Sequence, residues 1–578
     1  MKINCHAHIF NLATVASPQS VAIINGRIRR HVDEAGLPSF VADAVENLIK
    51  GYLKNPEYLT DEEIERRLFT YIWESRGFKR YLRNNRNLPV QLKLLGRSTS
   101  VLRGQGLRFV MERFSSFFDD KGAAKTSLSD ILATLRIVLQ PTITNVAETL
   151  LSDLDPDDVA VALMMDITTE ETFTEDRSLL MAQMKGTSGA MVAFPGRIIP
   201  FVAVNTRRED YYEVMRKAIE DYGFAGIKLY PSLGSPVDSD EMKKVYRYCV
   251  EHELPILMHC NQGGFYEKPE TQKLCDPAIW EETILPEFPD LRICFAHAGG
   301  LDQGMLTPQG PKEGQWAYTL ERLIKNPDYG HVYLDLSFHA DQMGSDEKEK
   351  NYLKWLRRLL NDDQSKKRVL FGTDYWLLRM NVADPVYWAW YEANLTKNQM
   401  KLISCDAPRR YLGLPDGAGR GMKKNIQNLV EYLEEQESVG DEPASWLSKV
   451  SNASFTVSSV NPVWSENNFA HRITYIFMRR YMTSAQEKIP FNKAGELRLR
   501  QLTYWNKEQV SEKVFKNDLR SVAMAFHGLC TGSDGEHKAR YDEEKAIEKL
   551  EQLLGNGEKK LFEAGLIIDS MFHFTHKG

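Results

Sequence analysis

The chain has 578 residues, 43% of them hydrophobic and 26% charged, with a formal net charge of -6. That composition is ordinary for a globular protein, the length exceeds what one core usually supports, and the mild acidity gives no electrostatic footprint for nucleic acid. No run of about 18 apolar residues is present to span a membrane, and seven cysteines without a C-x-x-C pair argue for a reducing, cytoplasmic setting.

The N-terminus enters an apolar strand at once, without the basic-then-apolar order of a signal peptide. This first predicted strand, Lys2 to Ile9, carries His6 and His8. Side chains two apart on a strand point the same way, so both rings face one side. An insertion of helical pattern follows from Asn11 to about Pro156. In it, Thr60 stands before Asp61, Glu62 and Glu63 as a helix cap. The basic stretch from Arg66 to Arg113 reads as a solvated helical face. Because the insertion leaves beside His8, it is either a lid or substrate-selecting wall, or a remote decoration.

From about residue 158, β-rich runs alternate with helical stretches, the mark of parallel strands joined by crossover helices. The predicted strands are Val159 to Asp166, Arg197 to Asn205, Phe224 to Ser232, Pro255 to Asn261, Arg292 to Gly299, His331 to Phe338 and Arg368 to Trp376. With the first they make eight, which predicts an α/β fold, the (β/α)8 TIM barrel, with its chemistry at the C-terminal ends of the strands. The barrel is expected over residues 1–414, with the insertion at about 11–157. Beyond the turn-rich Gly413 to Gly421, residues 415–578 are expected to form a mostly helical C-terminal region. That region offers a surface for a homo-oligomer or a protein partner. Its terminal histidines, His573 and His576, read as non-functional.

His259, His297 and Asp374 close their predicted strands as His8 closes the first. Histidine and carboxylate ligands without thiolate match catalytic zinc, with iron, manganese or nickel close behind. Such a metal activates water and polarises a carbonyl, which points to hydrolysis. Asp374 is either the general base that takes a proton from that water or a structural helix cap. In Gly223-Phe-Ala-Gly-Ile-Lys-Leu-Tyr-Pro231, Lys228 and Tyr230 turn inward. An unpaired buried ammonium is costly, so Lys228 has three fates: a carbamate bridging two metals, a charge-pairing or substrate-binding lysine, or a snorkelling structural one. Arg207, Tyr230, Gln262, His339, Trp376 and Arg379 also follow strand ends and could grip a substrate. The pairs Gly263-Gly264 and Gly299-Gly300 read as tight-turn glycines rather than a phosphate loop.

On Asn4-Cys-His-Ala-His8, the lysine segment just quoted, Met258-His-Cys260, Phe288 to Gly300, Phe371-Gly-Thr-Asp-Tyr375 and Asp406 to Leu414, the chain resembles the amidohydrolase superfamily. Within it the nearer branch holds aminocarboxymuconate semialdehyde decarboxylase and related metal-dependent decarboxylases and hydrolases. The resemblance covers residues 1–10 and 158–414. It implies that His6, His8, His259 and Asp374 ligate a metal, and that His297 is a second-metal ligand or a catalytic residue. It also aligns Lys228 with the lysine carbamylated in binuclear members.

The resulting expectation is a metal-dependent hydrolase of a small polar substrate at an amide, ester or lactone-like bond. It would use one or two divalent ions, zinc first among them. A non-oxidative decarboxylase on the same fold is the alternative, and a barrel scaffold in a larger assembly is a third.

Overall fold

The computed structural model describes residues 1–34, 38–54, 59–84, 128–155, 157–167, 177–301, 306–343, 346–382, 384–415 and 421–436. Eight parallel strands pair in the order of the sequence. They are β1 Ile3–Ala7, β2 Val159–Leu163, β3 Ile198–Val204, β4 Gly226–Leu229, β5 Ile256–Met258, β6 Ile293–Phe295, β7 Val332–Asp335 and β8 Val369–Leu370. Each lies inside a predicted run. The last strand returns to the first: Ala7 bridges Tyr375, and the Cys5 N–H donates to Phe371 O at 2.9 Å. Closure there needs a residue without a side chain, because a Cβ on Gly372 would come within 2.6 Å of His6 Cβ. Every strand residue is buried, as expected when one face fills a barrel and the other meets a ring of helices.

Six described helices separate β1 from β2: α1 Pro18–Glu34, α2 Ser39–Lys54, α3 Asp61–Glu74, α4 Arg76–Asn84, α5 Leu128–Val138 and α6 Ile143–Ser152. Thr60 caps α3 as its sequence predicts, accepting from the Glu63 N–H at 3.2 Å. Phe40, Val45 and Leu48 of α2, Ile64 and Leu68 of α3 and Leu135 of α5 share a core separate from that of the barrel. By contrast, α6 sends Ile143, Val146 and Leu150 into the barrel core. It therefore serves as the ring helix between β1 and β2, and the self-contained part of the insertion ends before it.

The ladders stop short of the predicted strand ends, and the chemistry-bearing residues follow on sharp turns. His297, Phe338, Asp374 and Trp376 all have positive φ, at 59°, 60°, 63° and 46°. Such conformations are costly for residues with side chains, and they gather at one rim of the barrel. At the opposite rim a helix at Lys424–Glu434 is tied on by Asn425, which donates to Ala225 O and Leu412 O, both at 2.9 Å. His573 and His576 lie outside the described residues. No helix among the described residues is long and apolar enough to cross a membrane.

Candidate metal centre

β1 delivers His6 from within the strand and His8 one residue past its end, and the turn after β8 brings Asp374 to them. His6 Nε2 and His8 Nε2 lie 3.2 and 3.1 Å from the same atom, Asp374 Oδ1. All three side chains are buried, and these ligand atoms fall within 4.8 Å of one another.

Which nitrogens carry protons follows from their other partners. His8 Nδ1 faces the Leu163 carbonyl at 3.0 Å, and a carbonyl can only accept. His6 Nδ1 faces Asp335 Oδ2 at 2.9 Å, so it too is the donor. Both Nε2 atoms are then bare. Lone pairs on two imidazoles and one carboxylate are thus turned on each other in a buried site, and neither His6 Nε2 nor Asp374 Oδ1 has a hydrogen-bond partner. Positive charge relieves that arrangement, as a metal ion among the three groups or as a proton on His6 Nε2.

A second convergence lies beside the first. His259 Nε2 is 3.3 Å from the Gly263 carbonyl, and His297 Nδ1 is 3.3 Å from the Ser337 carbonyl, so each is the protonated nitrogen of its ring. The remaining nitrogens, His259 Nδ1 and His297 Nε2, face each other at 3.2 Å. For one to donate to the other, a ring would have to give up its carbonyl partner. Tyr230 stacks on His259 at 4.0 Å between ring centroids and holds it in place. Gly264, with φ 81°, leaves the space that this stack occupies.

Lys228 enters from β4, buried, with no hydrogen-bond partner for Nζ among the described residues and Nζ 5.6 Å over the Tyr230 ring. Burial pushes its pKa down to about 8, against the pull of Asp374 and Asp335. Burial likewise lowers His8, drives His259 well down, and takes His297 to about 3, so these three rings are neutral at physiological pH. His6 goes the other way. Burial and Lys228 push it down, but Asp335 and Asp374 outweigh them and raise it. Asp374 would be raised by burial alone, yet the imidazoles of His6 and His8, where Nε2 carries a proton, hold it well below the carboxylate range.

All six predicted site residues thus come together. Asp335 and Ser337 were not foreseen. Asp335 closes β7 and accepts from His6 Nδ1, from the His297 N–H at 2.9 Å and from the Ser337 N–H at 3.0 Å. It also falls within ligand distance of His6 and His297. Its oxygens are occupied by these donors, so it orients the ligands rather than joining them. A strand-closing aspartate between apolar neighbours was the available signal, but its partner His6 is 329 positions away.

Of the weaker predicted contacts, Arg207 is engaged with Glu267 at 2.9 Å, and Gln262 is exposed. His339 backs His297, with Nε2 3.0 Å from the His297 carbonyl and Nδ1 3.0 Å from the Tyr352 hydroxyl. Arg379 lies against the buried carboxyls of Asp153 and Asp384. Trp376 packs edge-on to Phe10 at 5.2 Å and faces the insertion.

A family model described as amidohydrolase matches residues 3–414. The chain belongs to the amidohydrolase family. Among solved structures, this amidohydrolase is similar to 2,6-dihydroxybenzoate decarboxylase from Rhizobium, at 13% identity over 44% of this chain and 83% of that one, with a TM-score of 0.31. It is also similar to a structure described as a putative 2-pyrone-4,6-dicarboxylic acid hydrolase from Pseudomonas putida, at 17% identity over 50% and 87% of the two chains, with a TM-score of 0.30. A third is 5-carboxyvanillate decarboxylase from Sphingomonas paucimobilis, at 11% identity over 46% and 81%, with a TM-score of 0.32. No curated protein matches the amidohydrolase chain.

Proposed function

We propose that this amidohydrolase is a metal-dependent hydrolase that cleaves an amide, ester or lactone-like bond, and that it works in the cytoplasm, where its six described cysteines stay as the buried thiols seen here. The observation that carries this reading is the meeting of bare nitrogens in two adjoining groups with an unpartnered lysine among them. His6, His8 and Asp374 are assigned to one divalent ion, zinc by preference, and His259 and His297 to a second. Lys228 is assigned as their bridge. With its pKa at about 8, a fraction of the amine is neutral near physiological pH, and the neutral amine is the form that adds carbon dioxide to give a carbamate.

The chemistry such ions would supply, when bound, is a lowered pKa for water and polarisation of the scissile carbonyl. The protein's own part begins with Asp374, kept ionised by His6 and His8, which takes the proton of the attacking water. Asp335 and the Leu163 carbonyl keep His6 and His8 in the tautomer that presents Nε2. A small polar hollow beside Lys228, lined in part by Asp166, Asn205 and Tyr230, offers about 10 Å³, space on the scale of one water molecule.

Decarboxylation is the second reading, because the aromatic rim of Phe10, Phe265 and Trp376 would also accept an aromatic carboxylate. Turnover in ¹⁸O-labelled water separates the two once a substrate is in hand. Label in a product acid or alcohol, with no carbon dioxide released, supports hydrolysis. Stoichiometric carbon dioxide with no incorporated oxygen overturns it in favour of decarboxylation.

A further inference from the structure

Between the barrel rim and the insertion lies a mostly apolar chamber, partly open to solvent, with about 80 Å³ of space for water-sized groups. Phe10, two residues past His8, and Trp376, two past Asp374, form its wall nearest the metal centre. Its far wall is aliphatic: Ile24 and Ile28 of α1, Val45 and Ile49 of α2, Ile131 and Leu135 of α5. Protein interiors pack to near-crystalline density, and an apolar hollow costs stability for each ångström cubed left open. A hollow kept beside a reactive centre is the ordinary form of a ligand site.

Arg27 is the one charged residue in the described wall. Its guanidinium lies 5.3 Å over the Phe265 ring, and its Nε is buried without an acceptor among the described residues. Trp376 Nε1 is buried without an acceptor as well. Both unmet atoms are donors, so the missing partner is an oxygen on an otherwise apolar molecule. Branched aliphatic side chains outnumber the three aromatic ones in this lining, which suits a flexible chain better than a flat ring system.

We infer that the substrate is an acyl compound with a medium-length aliphatic chain, the chain lying in the chamber and an acyl oxygen near Arg27 and Trp376. The inference rests on the proposed hydrolase only for where the scissile bond lies. Cleavage adds water across the bond between the carbonyl and its nitrogen or oxygen, releases the amine or alcohol, and leaves the fatty acid in the chamber. This replaces the expected small polar substrate by one that is polar only at its reacting end.

The fatty acid product gives a direct probe. Calorimetric titration of the full chain with butyrate, octanoate and decanoate should show affinity rising roughly fourfold per methylene, about 250-fold from butyrate to octanoate. Filling the chamber with Ile28→Phe, on the half-buried helix α1, or with Leu135→Phe should cost octanoate at least tenfold and leave butyrate unchanged. Arg27→Gln should weaken both acids by a similar factor. The chain-length dependence should persist in the His6→Ala, His8→Ala double variant, whose metal content is measured separately. If the wild type proves metal-free and still shows the dependence, the hydrolase reading fails and the chamber stands. Octanoate binding no tighter than butyrate, or a dependence untouched by both filling variants in folded protein, overturns the inference.

Discussion

Asp335 Oδ2 sits 2.9 Å from His6 Nδ1, and that contact decides which nitrogen of His6 faces Asp374. A carboxylate cannot donate, so the His6 proton is fixed on Nδ1 and the lone pair on Nε2 is committed to the centre.

Replacing Asp335 by asparagine tests this control. The amide places a donor opposite Nδ1, moves the ring proton to Nε2, and so opposes the metal. We expect metal affinity to fall about 10–100-fold with the fold retained, measured by competition with a chelator of known affinity. Unchanged affinity would show that His6 does not depend on Asp335.

Metal uptake should depend on pH through His6. In the metal-free protein its raised pKa means that a proton occupies Nε2 below that value, and the stability this proton contributes is lost as pH rises through it. A metal ion takes the place of the same proton. Affinity should therefore weaken about tenfold per pH unit below the His6 pKa and level off above it, with a proton released on binding. Calorimetry in buffers of different ionisation enthalpy reads that proton. A flat profile between pH 5 and 8 would remove His6 from the ligand set.

Lys228→Ala should halve the metal content and abolish most turnover while the fold survives, because the substitution removes a buried amine with no hydrogen-bond partner among the described residues. Short carboxylates such as acetate or propionate should restore part of both, since they supply the bridging oxygens. Full metal content and activity without added acid would rule out the bridge.

Asp374→Asn is expected to keep the fold and lose roughly 10²–10⁴-fold in kcat, the usual worth of a positioned base. Circular dichroism and metal analysis on the same sample distinguish loss of the base from loss of the ion. A variant with near-normal turnover would assign proton transfer elsewhere.

Much of this was legible in the sequence because barrel strands announce themselves as short apolar runs, each ending in a residue that chemistry can use. The runs through His259, His297 and Asp374 located each strand and a residue that could serve as a ligand. They overstated strand length, since the apolar pattern continues through residues that leave the ladder at positive φ, as Asp374 and Trp376 do. Asp335 stayed hidden because its role exists only once β7 and β1 are brought together. The chamber was hidden for a different reason. Ile28 and Leu135 carry the same helical periodicity whether they face a packed core or an empty one.

Asn11 bears on how this barrel came by its roof. Its side-chain amide donates to the Gln140 and Pro141 carbonyls, at 2.9 and 3.2 Å, so the outgoing and returning strands of chain are fastened together at the rim. Elsewhere the described part of the insertion meets the barrel through Arg30, which donates to the Tyr266 hydroxyl, and Arg27, which lies over the Phe265 ring. A segment whose two ends already meet can be lengthened, exchanged or excised at little entropic cost to its host. A change in the length of that segment therefore need not move His6 and His8, which precede the junction, or Asp374, which lies far beyond it in the chain.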